Sequence, residues 1–313
     1  MNASATQQVR DVAVGLDVGA TWAKAWLVRA TPAGLVAPGE PAREAWNVTG
    51  FRPVDLEAQR AGAPIDAAER AAARELVTAA TKVVLAACEG LATTPRLAIA
   101  TAGPKTTDGR GIELWRRGPR APRLLDNLLA HLATKGFSPE PAPKRLFDDG
   151  LAAAAGELEA ADGALLGVRE ALYIGPGTGV AEAYVSGGQL APWPAELLPA
   201  WAEPFPPSTD RSAFGENAPP ADATLGDWIA LSPARELESS FRALGQLIHL
   251  RLAQLAALGL PPLKRIVIGA KGGELLAAEG ANGPLHSQLA APVPVVASRL
   301  YAAAAIGAVA LAR

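Results

Sequence analysis

Two apolar hairpins with glycine-rich turns constrain the fold of this chain more than any other feature. In the first, the strands at residues 12–16 and 22–28 flank a turn that contains Gly19. In the second, residues 171–174 and 180–185 flank the turn GPGTG. The strands of each pair run antiparallel, because a parallel crossover needs about a dozen residues or more. With one hairpin in each half, the chain resembles a duplicated domain.

The remaining apolar runs alternate with helical patterns, which is typical of an α/β protein with parallel strands. The patterns predict strands at residues 96–101, 145–148, 265–268 and 293–296, and helices at residues 66–88, 151–160, 233–258 and 298–313. The 313 residues are enough for about two domains. We expect an N-terminal lobe at residues 1–125, with the helix at 298–313 packing back onto it, and a C-terminal lobe at residues 126–297. Residues 191–220 contain eight prolines and predict a long ordered loop.

The composition excludes several classes of function. The 29 basic and 31 acidic side chains nearly balance, which argues against binding to nucleic acid or to an anionic membrane. The single cysteine, Cys88, excludes an intramolecular disulfide and is expected to be a buried thiol, and with only three histidines a structural metal is not expected. No signal peptide and no apolar run of about 18 residues occurs, so we expect a cytoplasmic protein.

The turn of the first hairpin has the composition of a phosphate-binding site. Gly19 allows backbone amides to approach an anion closely, with Ala20 beside it, and Thr21 adds a hydroxyl donor. Asp17 can hold a hydrated Mg²⁺ next to the phosphates, and Lys24, one of seven lysines, can neutralise charge there. The alternative is an ordinary turn.

The second hairpin repeats this pattern. Gly177, Thr178 and Gly179 form another turn lined with amides that suits phosphate oxygens, although glycine hairpins are common. After the strand RIVI, a further glycine-rich stretch is expected to open a helix at Glu274. Its glycines allow a ring or a ribose to lie against the backbone near the helix N-terminus. These glycines are Gly269, Gly272 and Gly273. The alternative is a plain glycine-rich turn.

A pair of carboxylates follows the strand at residues 145–148. Asp149, just before the helix at residues 151–160, can accept the proton of a substrate hydroxyl that attacks a γ-phosphoryl group. Asp148 can hydrogen-bond a neighbouring hydroxyl of the same substrate. The alternative is that one of these two residues is simply the helix N-cap.

Taken together, these motifs resemble those of the actin-like ATPase superfamily, and more closely the ROK family of bacterial sugar kinases and repressors. VGLDVGATWAKAWLV looks like the first phosphate motif of that family, and LYIGPGTGVAEAYVSGGQL looks like the second. FDDGLAAAAGE is similar to the catalytic segment E-N-D-A-N-A-A-A-L-G-E, and RIVIGAKGGELL to the adenosine motif. IATAGP resembles the segment that closes one side of the sugar pocket. The similarity extends over nearly the whole chain.

The resemblance implies two actin-like ATPase lobes of the ribonuclease H type with a cleft between them. It implies ATP-dependent phosphorylation of a sugar or polyol, with Asp149 as general base and Asp17 holding Mg²⁺ through water. Gly269, Gly272 and Gly273 would line the adenosine site. The substrate would contact Gly103, Asp148 and Glu196. The two hairpin turns would bind the phosphates of ATP through Gly19, Ala20, Thr21, Lys24, Gly177, Thr178 and Gly179.

This chain also departs from the family pattern. The zinc signature C-x-C-G-x-x-G-C-x-E is absent, so no structural zinc is expected, and residues 224–233 occupy the end of that region. The sugar-binding E-x-G-H is also absent: Glu196 and Glu203 are available, but no histidine is. Asp148 stands where the family has Asn. A sensor that binds nucleotide or sugar but has lost catalysis is therefore the alternative function.

The sequence is compatible with more than one phosphoryl donor and with more than one role for its arginines and loop aromatics. Polyphosphate could replace ATP as the donor, and a homodimer is one expectation because family members commonly form dimers. An arginine cluster could select an acidic sugar, or it could be a solvated surface or a subunit contact. It comprises Arg116, Arg117, Arg120 and Arg123. The aromatic residues of the proline-rich loop could stack on a sugar or pack in the core. They are Trp193, Trp201, Phe205 and Phe214.

Overall fold

The computed structural model describes residues 12–46, 51–205, 223–231, 236–280 and 283–313. The chain forms two compact units, one of Met1–Ala161 with Ala302–Arg313 and the other of Asp162–Tyr301.

The first unit is a sheet covered by helices. Its strands are β1 (Val12–Val18), β2 (Trp22–Thr31), β3 (Gly34–Val36), β4 (Ala42–Ala45), β5 (Arg96–Thr101) and β6 (Phe147–Asp148). Its helices are α1 (Leu56–Arg60), α2 (Ala67–Ala87), α3 (Leu124–Thr134), α4 (Asp149–Glu159) and α9 (Ala303–Leu311). The strand order is β3-β2-β1-β5-β6, and β4 also pairs with β2. The tight turn makes β1 and β2 antiparallel, as predicted, whereas β1, β5 and β6 are parallel.

Helix α2 covers this sheet with one apolar face. Asp66 caps it by accepting a hydrogen bond from the Glu69 amide, as the predicted start at residue 66 requires. Its buried residues Ala72, Leu76, Ala80 and Val83 recur at helical spacing and belong to the core of the unit. At its C-terminal end Cys88 is half-buried rather than fully buried. Burial raises the pKa of this thiol to about 11, so it stays protonated at neutral pH.

The C-terminal helix α9 packs within the first unit, against α4 and β1. Glycines make the close approach possible: a Cβ on Gly156 would lie 2.0 Å from the carbonyl oxygen of Ala303. Residues 126–161 also pack in this unit, whereas the sequence analysis assigns them to the C-terminal lobe. Tertiary contacts place these residues in the first unit, because β6 pairs with β5 and α4 packs on α9.

The second unit contains the other sheet. Its strands are β7 (Ala171–Pro176), β8 (Val180–Ser186), β9 (Gln189–Ala191), β10 (Arg265–Ile268) and β11 (Val295–Ala297). Its helices are α5 (Leu225–Ile229), α6 (Leu237–Ala257), α7 (Ala270–Glu279) and α8 (Pro284–Ser287). The strand order is β11-β10-β7-β8-β9, with β7 and β8 antiparallel and β10 parallel to β7 and β11. Helix α6 buries Leu244, Leu247 and Ile248 in the core of this unit.

Some predicted elements differ from the structure at their ends. The helix after Gly269 begins at Ala270 and not at Glu274, and the last helix begins at Ala303 and not at residue 298. Helix α3 was not predicted at all. Among the described residues, none of the helices combines the length and the apolarity that a membrane crossing requires.

Candidate functional site

Three carboxylates of the first unit lie near the carboxyl ends of neighbouring strands. Because β1, β5 and β6 are parallel neighbours, their carboxyl ends meet at one edge of the sheet. Asp17 is the penultimate residue of β1, and Asp148 ends β6 in register with Thr101 of β5. Asp149 follows as the first residue of α4. The topology therefore brings together Asp17, Asp148 and Asp149, as the motif analysis requires.

Asp148 is the N-cap of α4, so the alternative role considered for this pair applies to it. Its Oδ1 atom accepts hydrogen bonds from the amides of Gly150 (3.0 Å) and Leu151 (3.1 Å). Asp149 Oδ1 accepts a hydrogen bond only from its neighbour, the Gly150 amide, at 2.9 Å among the described residues. The cap is thus supplied by Asp148, and Asp149 is not needed to start the helix.

The carboxyl group of Asp149 has a strongly shifted proton affinity. Burial raises its pKa to about 7, and the negative charges of Asp148 and Asp17 add to the increase. The positive charge of Lys105 and the hydrogen bond from the Gly150 amide act in the opposite direction. A carboxylate whose pKa lies near neutrality can accept and release a proton under physiological conditions.

Lys105 is a residue of this site that the sequence analysis did not identify. Its Nζ donates hydrogen bonds to the backbone oxygens of Thr101 (2.8 Å) and Gly103. Burial lowers the pKa of Lys105, while Asp148 and Asp149 raise it. The available signal was its position, because it is one of only seven lysines and follows directly after the predicted strand and the IATAGP segment.

Asp17 and Lys24 form a cross-strand pair beside this cluster. They face each other in the β1–β2 register. Burial raises the pKa of Asp17, and the charge of Lys24 partly offsets that increase. The described part of the chain contains no cluster of three or more His, Cys, Asp or Glu side chains that could hold a metal ion. Mg²⁺ is usually bound through one or two carboxylates together with substrate phosphates, so a single Asp17 fits that mode of binding.

The turn of the first hairpin is fixed through its carbonyl groups. The indole Nε1 of Trp46 donates to the Gly19 oxygen at 3.0 Å, and the Trp46 amide donates to the Thr21 oxygen at 3.2 Å. The Gly19 amide donates to the Trp22 oxygen at 3.0 Å. Within the described residues, the amides of Ala20 and Thr21 find no acceptor. These two donors are therefore available to a ligand.

The turn of the second hairpin also contains two amides without acceptors in the described part of the chain. The Gly177 amide donates to the Gly179 oxygen, and the Leu231 amide donates to the Gly177 oxygen, both at 2.8 Å. The amides of Thr178 and Gly179 have no acceptor in the described ranges. A Cβ on Gly177 or Gly179 would meet no atom within 4 Å. Neither glycine has a positive φ, so the fold itself does not require glycine at these two positions.

The glycines of the third motif are in a different environment. A Cβ on Gly269 would lie 2.1 Å from the hydroxyl oxygen of Tyr173, and one on Gly272 would lie 2.8 Å from the ring of Pro176. A Cβ on Gly273 would lie 2.4 Å from the Ile268 oxygen. These glycines therefore allow α7 to pack closely on β7 and β10. Gly272 and Gly273 lie within the helix, because it begins at Ala270.

The residues expected to contact the substrate lie in both units. Gly103, in the first unit, has a φ of +82°, and a Cβ there would lie 2.4 Å from the Leu114 oxygen. The backbone therefore requires glycine at this position whether or not a ligand binds. Glu196, in the second unit, is exposed.

The arginine cluster contains at least one structural residue. Arg120 is buried and forms an ion pair with the buried Glu69, with 2.7 Å between Nη2 and Oε2. It also donates to the backbone oxygens of Ala63 (2.5 Å) and Pro64 (3.2 Å). Arg123 is exposed and lies 3.7 Å from Asp126. Arg120 thus attaches its loop to the start of α2 and is not available to an acidic sugar.

The aromatic residues of the proline-rich loop divide between core and surface. Phe205 is buried in the core of the second unit, and Trp193 packs against that core. Trp201 is 37% exposed. Phe214 lies outside the described residues. Core packing is therefore confirmed for Phe205 and Trp193.

The sequence matches no protein-family model and no curated protein. Its structure resembles an inorganic polyphosphate/ATP-glucomannokinase from Arthrobacter sp. strain KM, with a TM-score of 0.65, 16% identity and coverage of 96% of this chain and 98% of that chain. It also resembles a ROK family glucokinase from Streptomyces griseus solved with glucose and AMPPNP (TM-score 0.61, 17% identity, coverage 96% and 99%). A ROK family transcriptional regulator, a homologue of E. coli MLC protein, has a TM-score of 0.55 at 12% identity, with coverage of 97% and 78%. These similarities establish the fold. The chain has the α/β actin-like ATPase fold of the ROK proteins, as expected.

Proposed function

We propose that this protein transfers the γ-phosphoryl group of ATP to a hydroxyl group of a sugar or a similar polyol. The observation that carries the proposal is the state of Asp149, a buried carboxylate at the start of α4, directly after β6, with a pKa of about 7. General-base catalysis is most efficient when the pKa of the base lies near the working pH. Asp149 accepts the proton of the acceptor hydroxyl as its oxygen attacks the γ-phosphorus. The bond from the γ-phosphorus to the bridging oxygen then breaks, and ADP leaves.

The phosphates of ATP bind to the two hairpin turns in this proposal. The residues assigned to them are Gly19, Ala20, Thr21 and the charge of Lys24 in the first turn, and Gly177, Thr178 and Gly179 in the second turn. Two features support this assignment: four amides in these turns lack acceptors among the described residues, and Gly177 and Gly179 of the second turn border open space. Backbone amides around an open concavity are a common way to bind phosphate oxygens.

The remaining contacts of ATP follow the same assignment. Asp17 would hold the hydrated Mg²⁺ that accompanies ATP, and that ion would neutralise charge on the β- and γ-phosphates. Gly269 and Gly272 bring the first turn of α7 close to β7, and Gly273 brings it close to β10. The adenosine would lie against the backbone at that helix N-terminus, which favours polar contacts.

The acceptor contacts follow the resemblance to the ROK proteins. Asp148 keeps one carboxylate oxygen, Oδ2, outside the cap hydrogen bonds, and this atom can accept a hydrogen bond from a second hydroxyl of the acceptor. Gly103 and Glu196, an exposed carboxylate, are the other acceptor contacts that the resemblance implies. Glucose and related sugars are the first candidates, since the named structural neighbours include a glucokinase and a glucomannokinase.

A nucleotide- or sugar-binding sensor without catalysis is the second candidate, because a transcriptional regulator shares the fold. One experiment separates the two. ADP release is measured over a panel of neutral sugars, acidic sugars and polyols with Mg-ATP, while calorimetry measures ATP binding. Polyphosphate replaces ATP in a parallel series, read out by sugar-phosphate formation. Turnover of at least one acceptor supports the kinase, and ATP binding without turnover over the whole panel supports the sensor.

A further inference from the structure

The second unit contains a buried charge cluster to which the proposed reaction gives no role. Arg251 of α6 has no exposed side-chain area, and the carboxylates of Glu182 and Glu203 lie against it. Its Nε and Nη2 atoms donate to the two oxygens of Glu182 at 2.8 and 3.0 Å, which is a bidentate pair. Its Nη1 atom donates to Glu203 Oε2 at 2.7 Å.

The other two guanidinium hydrogens are also used. Nη1 donates to Gln254 Oε1 at 2.7 Å, and Nη2 donates to the backbone oxygen of Leu198 at 2.8 Å. An arginine has five N–H donors in a rigid planar arrangement, and here each of the five has an acceptor. Lysine, with three donors on a single nitrogen, could not reproduce this set.

The acceptors show what the cluster holds. Glu203 and Leu198 belong to the irregular segment at residues 192–205, whereas Glu182 belongs to β8. Glu182 Oε2 also accepts a hydrogen bond from the Ala200 amide at 2.7 Å. The ring of Trp193 lies under the guanidinium, 5.2 Å from the ring centroid to Cζ. The Arg251 side chain thus contacts this segment directly at Trp193, Leu198 and Glu203. It contacts Ala200 indirectly, through Glu182.

The segment needs such an anchor because it has almost no regular structure of its own. Its buried residues Leu197, Ala200 and Phe205 face the core, but apolar contacts are not directional and do not select one backbone conformation. A buried arginine with paired carboxylates is directional, and losing one partner leaves charge buried without compensation. The exposed side chains of the segment, including Glu196, are therefore presented on a fixed backbone.

We propose that Arg251 is a positioning residue that sets the conformation of the segment at residues 192–205 and, through it, the affinity for the acceptor. The second half of this inference rests on the proposed function, which assigns Glu196 to the acceptor. The first half does not.

The test compares Arg251→Lys with Arg242→Lys, a matched change on the same helix whose side chain meets Gln288 at 3.3 Å. Hydrogen exchange is measured on the full-length variants. In Arg251→Lys, amide exchange in residues 192–205 should rise at least tenfold, while β10 and the first unit keep their protection. The anchoring role is overturned if residues 192–205 keep their protection from exchange in Arg251→Lys. It is also overturned if both variants lose the same amount of protection there.

Steady-state kinetics with the best acceptor from the panel tests the second half. Arg251→Lys should raise the acceptor KM at least tenfold and leave the KM for ATP within twofold. A parallel rise of both KM values would indicate general destabilisation and overturn the positioning role. If the wild-type protein turns over no acceptor, the proposed function fails, and the claim about acceptor affinity fails with it. The hydrogen-exchange result still decides whether Arg251 anchors residues 192–205.

Glu203→Gln is the second variant, for use if Arg251→Lys does not fold. The glutamine keeps an oxygen acceptor for Arg251 Nη1, and the bidentate pair between Arg251 and Glu182 stays intact. We expect a smaller rise in exchange, confined to the end of the segment near residue 203. No rise there would contradict the contribution of Glu203.

Discussion

A 3.1 Å hydrogen bond from the Leu151 amide to Asp148 Oδ1 makes Asp148 the N-cap of α4. The next residue, Asp149, is therefore not required for the helix to begin. Of these adjacent carboxylates, only Asp148 caps the helix and only Asp149 is the proposed base, and substitutions can distinguish these two roles.

Asp149→Asn should lower kcat by roughly 10²–10⁴-fold, the usual contribution of a general base, because the amide cannot accept the hydroxyl proton. ATP affinity, measured by calorimetry, should stay unchanged. Asp148→Asn is the matched control for folding, since Asn caps a helix as well as Asp does. It should keep the thermal stability of the wild type. Near-normal turnover of Asp149→Asn would disprove the assignment of the base.

Asp149 should also make the fold less stable at alkaline pH. Its pKa is about 7 in the folded chain, against about 3.9 when unfolded. The folded state therefore binds this proton more tightly, and the associated stability is fully present below about pH 4 and lost as the pH rises through about 7. Each pKa unit corresponds to about 1.4 kcal/mol. Asp149→Asn should consequently unfold several degrees higher than the wild type at pH 8, and the difference should be about half as large at pH 5.5 and vanish near pH 4.

Asp108→Asn is the control for this pH dependence. Hydrogen bonds from the Thr106 hydroxyl and the Arg110 amide lower the pKa of Asp108, so the sign of its contribution is opposite. Its substitution should not raise the melting temperature at either pH. An equal rise in melting temperature for both variants would mean that the loss of any negative charge stabilises the unit. The burial of Asp149 would then not explain the effect.

Lys105→Met should shift the pH profile of kcat/KM rather than lower it uniformly. The positive charge of Lys105 lowers the pKa of Asp149, so its removal should raise that pKa and move the midpoint of the rate increase to higher pH. Activity should fall about fivefold at pH 7 and about tenfold below pH 6, as expected for a shift of about one pKa unit from about 7, and recover towards pH 9. Lys105→Arg should retain much of the wild-type profile. The control is Lys82→Met, which removes an exposed lysine paired with Glu44.

A uniform loss at every pH would instead assign Lys105 a structural role. Its hydrogen bonds to the Thr101 and Gly103 oxygens make that outcome a real alternative. The pH profile is the readout that separates the two roles.

Local patterns were sufficient to predict several elements from the sequence. The strands at residues 96–101 and 265–268 are found as predicted, and Asp66 caps α2 at the expected position. Helix α3 was missed although Leu124, Leu128 and Leu132 recur at helical spacing. Arg123 precedes this helix without a side-chain cap hydrogen bond, so no capping residue marks its start in the sequence.

The site itself could be predicted only in part. Asp17 and Asp149 follow from motifs, but the place of Lys105 depends on the pairing of Thr101 with Asp148, which local periodicity does not encode. Glycine-rich turns are also ambiguous in sequence. Gly177 borders open space, whereas Gly269 is packed against Tyr173, and only the tertiary structure distinguishes these two reasons for a glycine.

Alanine substitutions should have different effects at glycines that border open space and at glycines packed against other residues. Gly177→Ala and Gly179→Ala should leave the melting temperature nearly unchanged, because the added Cβ meets no protein atom within 4 Å. They should weaken ATP binding about tenfold, because the methyl group occupies space where the phosphates bind in the proposed function. Gly272→Ala should instead lower the melting temperature, since its Cβ would lie 2.8 Å from the Pro176 ring. Full ATP affinity in both turn variants would exclude this turn as a phosphate site.

Gly307→Ala should destabilise the first unit more than any change in the hairpin turns. A Cβ at this position of α9 would lie 1.6 Å from the Ala152 oxygen of α4, so the two helices must separate. Overpacking of this kind costs about 1–3 kcal/mol or more, and the helix propensity gained over glycine, about 1 kcal/mol, offsets only part of it.

Urea unfolding of Gly307→Ala and Gly19→Ala provides the measurement, because both variants add one methyl group to the same unit. Gly19 has only the Trp22 oxygen near its Cβ position, at 3.6 Å, and its substitution should be nearly neutral. Gly307→Ala should lower the free energy of unfolding by about 2 kcal/mol or more. It should also reduce turnover, because Asp149 begins the displaced helix α4. Equal unfolding free energies for the two variants would contradict the close packing of α9 against α4.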